Sequence, residues 1–98
     1  MSVDLAALTA ADFATRIDDD FRIATPGGAV ELKLVEVRSF GQALRQGGAF
    51  ALTFLSSPGP FLPQAIYPLD HPILGTFELF LVPIGPKDGG NSYEAVFT

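Results

Sequence analysis

Cysteine and tryptophan are absent, and there is one histidine and one methionine in 98 residues. Without cysteine the chain can form no disulfide, thiolate zinc site or thiol nucleophile. A single imidazole leaves a thin stock of groups for acid–base chemistry. Charged residues are also scarce, at 17% of the chain against 48% hydrophobic. That is too apolar and too weakly charged for an intrinsically disordered chain. No apolar run is long enough to span a bilayer as a helix, so no membrane partner is expected. Met1 to Ala11 holds no Lys or Arg, so it lacks the positive region of a secretory signal. The expectation is a cytoplasmic chain, with which the lack of cysteine agrees.

The formal charge of -5 is unevenly spread. Asp4, Asp12, Asp18, Asp19 and Asp20 face only Arg16 in the first twenty residues, whereas the remaining acids and bases nearly balance. Arg22, Lys33, Arg38, Arg45 and Lys87 stand singly among acids. A phosphate backbone is neutralised by clustered cations, so nucleic acid is not an expected partner.

Ninety-eight residues suit one domain with one core, 1–98. Thr9 can cap a helix, with Asp12 as the reciprocal partner of a capping box, and Ala10, Phe13, Ala14 and Ile17 then share a face. This predicts a helix of about two turns, too short to persist unpacked. Asp18 to Asp20 read as its exit. From Phe21 the period changes to two. Phe21 and Ile23 lead to the turn Thr25-Pro26-Gly27-Gly28, and Val30, Leu32 and Leu34 alternate with Glu31 and Lys33. At Leu34-Val35 the apolar phase slips by one residue. A β-bulge there restores the register and bends the strand, as where a sheet curls into a barrel or sandwich corner.

Residues 39–48 read as a loop with one helical turn near Gln42–Arg45, and Phe50, Leu52 and Phe54 as another strand. Pro58, Pro60 and Pro63 keep the next stretch out of regular sheet. Ala65 to Leu69 contains Pro68 and reads as an edge or bulged strand. Thr76 to Ile84 is apolar on both faces: Phe77, Leu79 and Leu81 on one, Phe80, Val82 and Ile84 on the other. Its second face is covered either by the helix or by another subunit. Pro86 to Asn91 turns a hairpin into a last strand carrying Tyr93, Ala95 and Phe97. The expected fold is mainly β: a small antiparallel curled sheet of about six strands, a partly open barrel or compact sandwich, with a short N-terminal helix. Hairpins are expected between strands one and two and between five and six.

The candidate chemistry is sparse. His71 as a general base would need an orienting carboxylate, but Asp70 beside it on an extended chain points to the opposite face. The plainer reading is a turn histidine before Pro72, bonded to a nearby backbone carbonyl or facing solvent. Asp18, Asp19 and Asp20 could offer oxygen ligands to Ca²⁺ but lack the EF-hand spacing, and a solvated turn accounts for them. The paired glycines form no phosphate-binding motif, and Glu31, Glu36, Glu78 and Glu94 fall at solvent-facing strand positions. No catalytic, metal or cofactor residue is assigned, and no cofactor is expected. Two features suit partner contact: Phe61 and Leu62 on the stiff proline segment, and Phe80 and Val82 on the two-faced strand. A loop folded back over the core is the alternative for the first.

Several pieces also occur together in a recognisable order: Phe21-Arg22-Ile23 after a helix, Val30-Glu31-Leu32 through Glu36-Val37, Leu62-Pro63-Gln64-Ala65-Ile66-Tyr67, His71-Pro72 with Leu74-Gly75, Phe77 through Pro83, and Tyr93-Glu94-Ala95-Val96-Phe97. Across roughly residues 5–97 the chain resembles a bacterial family of short proteins of unknown function. The resemblance implies one β-rich domain and, from relatives encoded beside phage-tail-like or tail-collar-like proteins, an assembly context. It assigns no catalytic residue. Together these readings point to a non-enzymatic, self-associating structural or interaction module with a protein partner. The alternative is a small-ligand binder using the mouth of a phenylalanine-lined barrel.

Overall fold

The structure, a computed structural model, describes residues 8–25, 28–41, 49–57, 62–87 and 89–97. Among the described residues one short helix, α1 (Ala10–Ala14), precedes six strands: β1 (Asp20–Thr25), β2 (Gly28–Gly41), β3 (Ala49–Ser56), β4 (Ala65–His71), β5 (Gly75–Lys87) and β6 (Gly90–Phe97). All pairings are antiparallel, and the order β1-β2-β3-β6-β5-β4 closes on itself as a barrel. The sheet is therefore closed, where the sequence left an open barrel or a sandwich equally possible. The expected hairpins are present, β1 with β2 and β5 with β6.

Two long strands make the closure possible by changing partners along their length. β2 pairs with β1 from Gly28 to Lys33 and with β3 from Lys33 to Gly41. The change falls where the register shifts between Leu34 and Glu36, at the expected bulge. An inserted residue sharpens local twist, which lets one strand turn a corner. β5 does the same: Gly75–Leu81 pairs with β4 and Val82–Lys87 with β6, with a second shift between Pro83 and Gly85. Gly85 there has φ +112, a conformation open to glycine at little cost.

The join between β1 and β4 is thin, a single pairing of Arg22 with Asp70. Pro68 has no N–H to donate, and β4 keeps an unbroken register only toward β5. The sequence reading of an edge-like strand holds in that sense, although β4 does have a neighbour on each side.

The interior is aromatic. Phe13, Phe21, Phe50, Phe54, Phe77 and Tyr93 are fully buried. Phe13 projects from α1 into one end of the barrel, its ring centroid 6.3 Å from Phe21, 5.9 Å from Phe50 and Phe77, and 5.7 Å from Phe97. These separations suit tilted and edge-to-face ring packing. The helix is five residues long, shorter than the expected two turns. It is held by the expected capping box: Thr9 N–H donates to Asp12 Oδ2 at 2.8 Å, and Asp12 N–H to Thr9 Oγ1 at 3.4 Å. The helix serves as a plug rather than a cover for the outer face of β5, as one reading of that strand required.

Candidate functional site

The sequence candidates separate cleanly by burial. Leu62 is 6% exposed and belongs to the core; its N–H donates to the buried Tyr93 hydroxyl at 3.0 Å. The segment after the prolines folds back over the barrel, which corrects the expectation of Leu62 as a surface contact. A buried tyrosine hydroxyl needs a partner, and this bond supplies it. Phe61 lies outside the described residues, as do Gln42–Arg45. Phe80 is 50% exposed, while Val82 beside it is half-buried.

His71 is neither a solvent-facing turn residue nor bonded to a carbonyl. It is 2% exposed, with its ring 4.7 Å from that of Phe21. Nδ1 accepts the N–H groups of Ile73 and Leu74, each at 3.1 Å, and so carries no proton. Nε2–H is then the donor, toward Asp19 Oδ2 at 2.9 Å. The expected mismatch with Asp70 is real: that carboxylate accepts from the Thr76 hydroxyl at 2.9 Å. The orienting carboxylate comes instead from 52 residues earlier, a pairing no local spacing could reveal. With one ring nitrogen committed to two backbone donors and the other to Asp19, this imidazole ties the β4–β5 turn to the entry of β1.

Asp18 to Asp20 do not converge on a common point. Asp18 has φ +76, and its N–H donates to the Leu34 carbonyl at 2.7 Å. Leu34 N–H donates back to the Asp19 carbonyl at 3.0 Å. The acidic turn is thus pinned to the bulge of β2 by backbone bonds, and Arg22 pairs with Glu31 at 3.6 Å rather than with the triplet.

The partner changes of β2 and β5 leave two corners where neighbouring strands diverge. One groove, of about 350 Å³, is lined by Asp20, Glu31, Lys33, Ser56 and Gly90, among others. Its strand edges are polar: Asp20 stands opposite Lys33 and Arg22 opposite Glu31. The second groove, of about 320 Å³, lies where β5 and β6 part beyond the Val82–Glu94 pair. Ile66, Phe80 and Val96 form its outer lip and Leu79 and Ala95 its floor, with Glu78 the one charged lining residue among the described residues. Ile66 is the cross-strand partner of Phe80, so these two form an apolar pair on the outer face, with Val96 on the far side of the groove. Ile66 and Val96 are 64% and 52% exposed. Sequence alternation marked Phe80 as two-faced; Ile66 and Val96 were missed, because their exposure depends on which strands lie side by side.

No helix among the described residues is long and apolar enough to cross a membrane. A six-stranded antiparallel barrel with a helical plug, a packed aromatic interior and one apolar corner defines a small β-barrel domain. Residues 8–97 match the family model of a domain of unknown function, DUF6916, and the chain belongs to that family. No curated protein matches it significantly. No solved structure does so either.

Proposed function

We propose that this domain is a non-enzymatic interaction module that self-associates through the outer face of β4, β5 and β6. The observation that carries this reading is the exposed cluster Ile66, Phe80 and Val96. Large aliphatic and aromatic side chains side by side on a small surface suit a partner better than water. The chain carries -5 overall, so two copies repel over most approaches. The apolar corner is where they can meet with little like-charge cost. The barrel interior is filled by its own phenylalanines, which favours a surface role over a ligand held in the barrel mouth. In this reading the domain works in the cytoplasm of a bacterium as an accessory to a phage-tail-like assembly, the context that the family resemblance implies.

Sedimentation velocity across a concentration series tests self-association. The expected result is a reversible shift from monomer to dimer, abolished in Phe80→Lys with an unchanged far-UV spectrum. A wild-type chain that stays monomeric throughout overturns the reading.

A further inference from the structure

We infer that the barrel carries a gate at the seam between β1 and β4, latched by the His71 side chain on Asp19, which opens while the other strands stay paired. Among the described residues, each of the other five joins runs through five to seven registered pairs, whereas β1 and β4 share only Arg22 with Asp70. Arg22 and Asp70 carry opposite charges at that pair, yet neither side chain bonds across it. Arg22 pairs with Glu31 of β2 at 3.6 Å, and Asp70 accepts from the Thr76 hydroxyl of β5 at 2.9 Å. A polar groove of about 390 Å³ lies at the same join, lined by Asp20, Arg22, Glu31, Asp70 and Pro72.

His71 supplies the side-chain bond that does cross. Its ring is held on the β4–β5 side, where Nδ1 accepts the N–H groups of Ile73 and Leu74. Asp19 is held on the β1–β2 side, where its carbonyl accepts the Leu34 N–H. At the rim the two halves therefore meet through Nε2–H to Asp19 Oδ2 at 2.9 Å and the His71 ring against Phe21. The Asp19 side chain is 40% exposed, so water competes for its end of that bond. Beneath it Phe21 packs on Phe54 and Phe77, which keeps the closed form dominant. Local openings follow the places with fewest buried contacts and most solvent-exposed bonds, and this seam is such a place. When it parts, the buried imidazole and Phe21 reach water while the β1–β2 and β4–β5 hairpins keep their ladders.

The chain has one histidine and no cysteine, so the latch and a staple can each be followed alone. Acylation of His71 by diethyl pyrocarbonate at fixed neutral pH, localised by mass spectrometry, reads the exposure of the ring. In the wild-type chain its protection should be about tenfold or more below that of the Leu52 and Phe54 amides in hydrogen exchange, since β3 is paired on both sides. Equal protection means that the ring is reached only by global unfolding, and overturns the gate. Arg22→Cys combined with Asp70→Cys allows a disulfide across the seam. Oxidation should slow acylation about tenfold or more relative to the same chain reduced; an unchanged rate, or thiols that do not join, overturns the proposal. Asp19→Ala should speed acylation about tenfold in the unstapled chain and leave the stapled chain unchanged. No acceleration, or the same acceleration in both, overturns Asp19 as the latch.

Discussion

The two open corners of the barrel share a backbone plan and differ in chemistry. Each arises where a long strand leaves one neighbour for another, β2 at its Leu34–Glu36 bulge and β5 at Leu81–Val82. At the β2 corner the exposed positions are occupied by Asp20, Arg22, Glu31 and Lys33, which pair in alternating sign across the strands. At the β5 corner they are occupied by Ile66, Phe80 and Val96. Closing a sheet with two bent strands produces corners whatever the residues, so geometry alone does not explain the apolar one. The polar corner shows that this fold is satisfied by charges at such a place. The half-exposed hydrophobic side chains at the other corner have no such polar pairing, which is why they carry the functional reading.

Mutations can break this contrast or sharpen it. The largest effect is expected from Phe77→Ala, on the inner face of β5. Phe77 is fully buried against Phe13 and Phe21, so unfolding stability should fall by about 3–5 kcal/mol in chemical denaturation. Next comes Gly90→Ala at the polar corner. A Cβ there would sit 1.9 Å from the Ser56 carbonyl oxygen, so the strands must shift, at a cost of about 1–3 kcal/mol in the same measurement. Tyr93→Phe removes the buried acceptor of the Leu62 N–H and should cost about 1–2 kcal/mol, read as a lower denaturation midpoint at unchanged slope.

The smallest effects on the monomer are the most telling. Phe80→Ala and Glu31→Ala should each change monomer stability by about 0.5 kcal/mol, measured at high dilution. Their effects on association should part: Phe80→Ala raises the dimer dissociation constant, and Glu31→Ala leaves it unchanged. Equal effects on association would erase the distinction between the corners.

Much of the local architecture was legible. Thr9 and Asp12 form the capping box their spacing suggests. The slip of phase at Leu34-Val35 is a bulge, and it bends β2 where the bend was expected. These features rest on short-range rules: capping needs a side-chain oxygen three residues from an N–H, and alternation reports a period of two. His71 shows where such rules stop. Its neighbour Asp70 is the nearest carboxylate in the chain, yet Asp19 holds the ring, because β1 and β4 become neighbours on closure. The site was half legible for a similar reason. Phe80 was marked by an apolar second face, but Leu62, marked with it, turned inward once the barrel offered Tyr93 as a partner.

Turn chemistry and hydrophobic period settle which residues form strands, where they bend and which side chains share a face, because each depends on a few adjacent dihedral angles. Strand order, the use of Phe13 as a plug and the Asp19–His71 tie were settled only when distant segments met. Contacts between residues far apart in the chain are selected by the packing of the whole core and not by any local preference.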